Sequence, residues 1–191
     1  MTSDVVRCNW AASGGLEQEY HDNVWGIPVH DDRALFKMLM LEGQQAGLSW
    51  STILKKMNTL CAAYDGFDPA ILITYDDAKV QALLQNEGII RNRQKVNAVI
   101  HNAKAYFRLC EEFGSLDHYL WSWVGHRPIV NAWERSSELP TRTPLSDALS
   151  RDLKRRGFKF VGSTTVYAMM QATGMVNDHL TCCAFYHRSR G

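Results

Sequence analysis

The sequence predicts an all-α protein, and three observations carry that reading. Apolar residues recur at three- and four-residue spacing through most of the chain. The segments with this period tend to open on Ser, Thr or Asp and to close on glycine. No stretch alternates apolar and polar residues for long enough to argue a sheet. The 191 residues suit a single domain of about seven to nine helices, and 46% hydrophobic with 21% charged residues is an ordinary globular composition.

The elements follow in order. DDRALFKMLMLEGQQAG, residues 31–47, opens on aspartates suited to capping, carries Leu35, Phe36, Leu39 and Met40 on one face, and ends among Gly43 and Gly47. SWSTILKKMNTLCAAY, 49–64, continues with Ile53, Leu54, Met57 and Leu60 or Cys61. YDDAKVQALLQNEG, 75–88, has Asp76 as cap, Val80, Leu83 and Leu84 as stripe and Gly88 as stop. RQKVNAVIHNAKAYFRLCEEFG, 93–114, has Val96, Val99, Ile100, Ala103, Phe107 and Cys110. SLDHYLWSWV begins a helix at Ser115. TPLSDALSRDLKRRG has Ser146 as cap, Leu149 and Leu153 as stripe and Gly157 as stop, and STTVYAMMQATG starts on Ser163 or Thr164 and stops at Gly174. The longest irregular piece, GHRPIVNAWERSSELPTRTP, is a candidate junction between two lobes.

Composition narrows the function. No run approaches the roughly 18 apolar residues of a membrane span, and MTSDVVRCNW has no apolar stretch behind a basic one, so a cytoplasmic protein without membrane contact is expected. The cysteines at 8, 61, 110, 182 and 183 are odd in number and scattered. In a reducing compartment they read as buried thiols, metal ligands or a catalytic thiolate, with Cys61 and Cys110 as small core residues. Residues 1–90 hold 6 Lys and Arg against 12 Asp and Glu, whereas residues 91–191 hold 15 against 8. That polarity suits an anionic partner for the second half, and it suits equally two halves that attract each other.

Three local patterns carry chemistry. Two helical segments joined only by RGFKFVG have Gly157 and Gly162 for a tight hairpin. The second helix there would present open backbone N–H groups near Arg155, Arg156 and Lys159, as a grip on phosphate requires. The same residues fit a plain helical hairpin with a solvated basic face. Trp10, Tyr20, Trp25 and Trp50 crowd the first 50 residues, either as packing or as a stacking platform on loops, the polar and turn-rich YHDNVWG favouring loops. Glu42 follows a strongly apolar run. It either solvates at a helix end or sits in a lined cavity where it accepts hydrogen bonds from an amino group on a base.

YHDNVWGIPVHDD, LFKMLMLEGQQAGLSWSTILKK, GIIRNRQKVNAVIHNAKAY, RGFKFVGSTTVYAMMQATGMVNDH and the closing cysteines together resemble the bacterial, constitutive-type 3-methyladenine DNA glycosylase I family. The resemblance runs from Cys8 to Cys183 in order and at consistent spacing. It implies a helix–hairpin–helix DNA glycosylase fold in one two-lobed domain over 1–191, the hairpin unit lying at about 146–174, with a structural zinc joining the two ends of the chain. The implied zinc ligands are Cys8, His21, His179 and Cys183. The implied base pocket is Glu42, as the catalytic residue, with Tyr20, Trp50, Trp10 and Trp25 binding the base. Gly47 and Leu48 would fill the gap left by the extruded nucleotide, and Lys159, Gly162 and Ser163 would hold the backbone.

The implied activity is excision of 3-methyladenine from alkylated double-stranded DNA by flipping and hydrolysis, without lyase action and with release of free 3-methyladenine, and a monomer is expected because one active site and one hairpin suffice for one lesion. Many relatives in the wider superfamily place a catalytic aspartate after the hairpin; here that region reads GMVNDH, and Asp178 is expected only to orient His179. Cys182 has no assigned role. The alternatives are a non-catalytic, zinc-containing DNA-binding protein that senses alkylated DNA, and a thiol redox protein using Cys182 and Cys183. Vicinal cysteines are poorly placed for an ordinary disulfide, which disfavours the second.

Overall fold

The computed structural model describes residues 5–187. Its helices are α1 (Gly15–Asn23), α2 (Asp32–Gln45), α3 (Trp50–Ala63), α4 (Pro69–Leu72), α5 (Asp77–Gln85), α6 (Arg93–Phe113), α7 (Leu116–Ser122), α8 (Pro144–Arg155) and α9 (Ser163–Ala172). A two-residue parallel pair, β1 (Ile129–Val130) with β2 (Val176–Asn177), is the sheet structure among the described residues. No described helix is long and apolar enough to cross a membrane.

Side-chain caps place the helix starts. Asp31 accepts from the Ala34 amide at 2.8 Å, Asp76 from Lys79 at 2.8 Å, Asn92 from Lys95 at 3.1 Å and Ser115 from His118 at 2.9 Å. One expected cap moves. Thr143 caps α8, accepting from the Ser146 amide at 3.2 Å, while the Ser146 hydroxyl reaches back to the Thr143 amide at 2.9 Å in a reciprocal box. Pro144, whose missing N–H is harmless only in a first turn, makes Thr143 the cap.

Three further expectations change. YHDNVWG is not loop throughout, because α1 carries Tyr20 and His21 on its buried side. Helix α5 ends at Gln85 with Asn86 as its C-cap, ahead of Gly88. On α6 the buried face includes Val96, Val99 and Ala103 but also Ala98, Asn102, Ala105 and Leu109, whereas Phe107 is exposed and Cys110 half-buried. The cause is packing on several sides, since α6 meets α2, α4, α5 and α7. Cys61 is likewise half-buried rather than core.

Helix α9 is the hub of the second half, packing on both α2 and α8. Gly174, at φ +69°, turns the chain out of α9 with its Cα so close to the Ile27–Pro28 backbone that a Cβ would lie 2.4 Å from the proline nitrogen. The main core spans α2 to α9. A second apolar cluster gathers Cys8, Tyr20, Trp25, Ala172, Leu180 and Cys183, with Trp10 and Trp50 packed against it.

Candidate active site and metal centre

The five residues expected to form a base pocket come together. Trp10, Tyr20, Trp25, Glu42 and Trp50 line one cavity of about 390 Å³, completed by Ser49, Leu139, Ala168 and Gln171 among others. The rings form a tilted wall, with Tyr20 and Trp50 centroids 5.1 Å apart and Trp10 and Trp25 edge to face at 5.2 Å. Glu42 lies in the last turn of α2 and is 4% exposed, so it belongs to the cavity and not to a solvated helix end. Its Oε2 has no hydrogen-bond partner, and neither has the buried Nε1 of Trp50. An acceptor and a donor, both desolvated and both unpaired, are costly to hold unless a ligand meets them. Burial pushes the Glu42 carboxyl up to about 8. Burial, and then the Glu42 charge, also push the Tyr20 phenol up.

Gly47 and Leu48 form the turn between α2 and α3, directly before the pocket residues Ser49 and Trp50. Gly47 takes φ +78°, and Leu48 stands 41% exposed. Lys95, which the sequence reading passed over as an ordinary helix residue, holds this turn. Its buried Nζ donates to the carbonyls of Gln44 and Ala46, each at 2.7 Å, closing the C-terminal end of α2. A lysine at an otherwise apolar register of a helix was the available signal.

The hairpin lies apart from the pocket lining. Gly157 stops α8 at φ +95°, and Phe158 and Val161 are buried. The backbone of Lys159 is clamped by Asn102, which donates to its carbonyl at 3.0 Å and accepts from its amide at 2.7 Å. Gly162 caps α9 with no side-chain hydrogen bond, so the first amides of that helix are not taken by a cap. The Ser163 hydroxyl is engaged with Ser146 at 2.8 Å, tying α9 to α8.

Cys8, His21, His179 and Cys183 converge from the two ends of the chain. All four are buried, and their ligand atoms lie within 4.8 Å of one another. Cys183 Sγ stands 3.6 Å from His21 Nε2 and 3.6 Å from His179 Nδ1, and Cys8 Sγ stands 3.7 Å from His179 Nδ1. A tetrahedral ion with metal–sulfur bonds of about 2.3 Å and metal–nitrogen bonds of about 2.0 Å would separate S from N by about 3.6 Å. The donor set therefore fits a metal ion. The Cys183 thiol is held low by hydrogen bonding with Cys8 and with the two histidines, and Cys8 is pushed up in turn. His21 is oriented from behind by Asp22, 2.8 Å from its Nδ1, and Asp22 is itself bound by Arg7. Gly26, at φ +78°, leaves room for His179, because a Cβ there would lie 2.8 Å from its Nε2. Cys182 is exposed, outside the cluster.

Asp178 does not orient His179. Its carboxylate accepts from Tyr167 at 2.6 Å and from Gln171, Asn131 and Trp133 at 2.7 Å each. Those four donors pin the long irregular segment, through Asn131 and Trp133, to α9, and fix the amide of Gln171 at the pocket wall. The base pocket and the metal centre are also joined by rings, since Trp25 lies 4.7 Å from His179 and Trp10 lies 5.2 Å from His21.

Comparison with known proteins extends this geometry. The model of the methyladenine glycosylase family matches residues 10–187. The chain is 47% identical over 182 residues to DNA-3-methyladenine glycosylase 1 of Escherichia coli strain K12, covering 95% of this chain and 97% of the relative. A crystal structure of 3-methyladenine DNA glycosylase I superposes with a TM-score of 0.91 at 47% identity, over 94% of this chain and 98% of that one. The Staphylococcus aureus 3-methyladenine DNA glycosylase I, whose structure addresses recognition of 3-methyladenine, gives a TM-score of 0.91 at 35% identity, over 95% and 97% of the two chains.

Proposed function

The chain belongs to the methyladenine glycosylase family, and on that premise we propose a base-excision DNA glycosylase that removes 3-methyladenine from alkylated DNA, with the Glu42 cavity as the seat of the reaction. The observation that carries the assignment of the site is the unpaired, buried carboxylate oxygen of Glu42 in an aromatic cavity of about 390 Å³. One two-lobed domain acting as a monomer suffices, since a single pocket and a single hairpin serve a single lesion.

The substrate's chemistry explains the economy of the site. A purine methylated at N3 and still joined to deoxyribose carries positive charge, and its glycosidic bond is weak because the base leaves neutral. The bond from C1′ to the base breaks with its electron pair going to the base. A water oxygen then bonds C1′, and its proton is released, so no lyase step is needed. Rotating the nucleotide out of the stack costs a few kcal/mol, less for a damaged pair. Leu48, exposed at the tip of its turn, suits the vacated space. The cationic ring gains roughly 0.5–2 kcal/mol against Tyr20, Trp50 and the neighbouring tryptophans. The Glu42 carboxylate accepts from the exocyclic amino group, which guanine lacks at that position, and offsets the ring charge.

Hairpin residues Lys159, Gly162 and Ser163 hold the backbone in this reading, through open amides and a cation and without reading sequence. The metal is zinc in this proposal, held by Cys8, His21, His179 and Cys183. Such an ion closes its coordination with four protein ligands and supplies folding energy, fixing the chain ends behind Tyr20 and Trp25.

A protein that only binds alkylated DNA without excising the base has no need of an unpaired carboxylate beside a cavity of base size. The decisive experiment incubates the protein with methylated duplex DNA and measures released free base. Release of 3-methyladenine supports the enzyme, and tight binding of the same DNA without release supports the sensor.

A further inference from the structure

One cationic cluster serves neither the pocket, nor the wedge turn, nor the metal centre, and it shares only Lys159 with the backbone grip already given to the hairpin. It lies where α6 meets the hairpin, around a cavity of about 400 Å³ lined by Gln94, Asn97, Ala98, His101, Lys159 and Phe160. Gln94, Asn97, His101, Lys104 and Arg108 recur at helical spacing and are all exposed. The pair of hydrogen bonds between the Asn102 side chain and the Lys159 backbone locks the hairpin against this face of α6. Gly157 brings Arg108 and His101 together, its Cβ position lying 3.1 Å from an Arg108 guanidinium nitrogen and 3.7 Å from His101 Nε2.

The charges here lack counterparts. Arg7, Arg33, Arg135, Arg155 and Arg156 all pair with carboxylates. Among the described residues, His101, Lys104, Arg108 and Lys159 pair with none. Burial and the cations Lys159, Arg108 and Lys104 push the imidazole of His101 down, opposed only by the Gly157 backbone. Every side-chain charge acting on it from α6 and from the hairpin is positive. Ala98 and Phe160 also line a small cleft that reaches Gly43, Gln44 and Lys95, the residues that end α2 and hold the wedge turn. The groove thus sits beside the place where the strand must open.

We propose that this groove is a second DNA-backbone site, in which Lys159, His101 and the side-chain amides of Gln94 and Asn97 hold a phosphate of the duplex next to the wedge, with Lys104 and Arg108 continuing the cationic run along α6. A phosphate supplies the missing counter-charge, and an imidazolium among three cations becomes favourable once the anion arrives. Binding at this site therefore takes up a proton on His101. The site requires that duplex DNA be the ligand but not that base excision occur there, so it is tested on undamaged DNA and survives or fails independently of base release.

The test is fluorescence anisotropy of the full-length protein with an undamaged duplex, titrated with NaCl at about pH 6 and about pH 8.5, on either side of an ordinary histidine. Each lost phosphate contact lowers the slope of log K against log salt by about 0.9. We expect His101→Gln to lower the slope by about that amount at pH 6 and to match the parent at pH 8.5. Lys159→Gln should lower it at both values. His101→Arg, which keeps a charge throughout, should match the parent at pH 6 and exceed it at pH 8.5. Circular dichroism and melting confirm that each variant is folded. A parental slope for His101→Gln at pH 6, or an equal loss at both pH values, overturns the proposal. So does a loss of inorganic phosphate binding in variants whose duplex slope stays parental, since the site would then serve a free anion.

Discussion

Glu42 is a carboxyl that the fold keeps neutral until something charged arrives. Burial raises it to about 8, so between its unfolded value near 4.5 and about 8 the native protein binds more protons than the unfolded chain. The stability that this group contributes is therefore complete below pH 4.5 and is lost as pH rises through about 8. Glu42→Gln removes that slope, and we predict a variant more stable than the parent above pH 8, by on the order of a few kcal/mol, as read from melting curves across pH. Activity runs the other way, because only the ionised carboxyl offsets a cationic base. The values of kcat/KM report the free enzyme, so in the parent they should climb with pH up to about 8. Sequence could name Glu42 but not decide its state. Its apolar run fits an exposed helix end as well as a cavity, and the walls that settle the matter come from α1, α3 and α9, far away in the chain.

At the scale of elements, the turn between α2 and α3 is held from outside itself. Lys95 on α6 satisfies the Gln44 and Ala46 carbonyls, so the turn that carries Leu48, the wedge in our proposal, is held by a helix that begins 45 residues later. Lys95→Met leaves those carbonyls without a donor. Hydrogen bonds to a charged group are each worth roughly 1.5–3 kcal/mol, so excision from duplex DNA should drop by roughly tenfold or more. Binding of free 3-methyladenine, which needs no wedge, should not change; isothermal titration with the free base beside an excision assay separates the two. Leu48→Ala should show the same split. The helices capped by Asp31, Asp76 and Ser115 were legible from sequence because those residues open long apolar periods, whereas the four-residue α4, capped by Asp68, is too short to show a period and was passed over. Helix α1 was not, since it starts from two glycines with no side-chain cap and only Tyr20 and His21 along it are buried. Thr143 was missed for a simpler reason, Ser146 being an equally good cap by type while Pro144 carried the deciding signal.

Across the whole molecule, the two chain ends meet at four buried ligand groups, and the rings of Trp10 and Trp25 carry that junction into the pocket wall. Purified protein should contain one zinc per chain. Stripping it with a chelator, or Cys183→Ser, should lower the melting temperature by on the order of 10 °C, as a loss of a few kcal/mol does in a domain of this size. Cys182→Ser, changing an exposed thiol outside the cluster, should leave metal content at the parental level by elemental analysis. No local pattern reveals such a site, because Cys8 and Cys183 lie at opposite ends of the chain and only the fold brings them together. The charge asymmetry was legible, and its distribution was not: the excess cations of the second half are partly consumed by carboxylates such as Asp152 and Glu112, and those lining and flanking the α6 groove are among the ones left without a carboxylate.

The claim that joins these scales is that a buried carboxylate in an aromatic cavity recognises a cationic adenine lesion. Its most direct test is release of 3-methyladenine from methylated duplex DNA, measured as kcat/KM across pH for the parent and for Glu42→Gln. The parent should release the base with an ascending limb near pH 8, and Glu42→Gln should do so at a rate lower by roughly 10- to 100-fold with that limb absent. Parental rates with an unchanged pH profile in Glu42→Gln would contradict it.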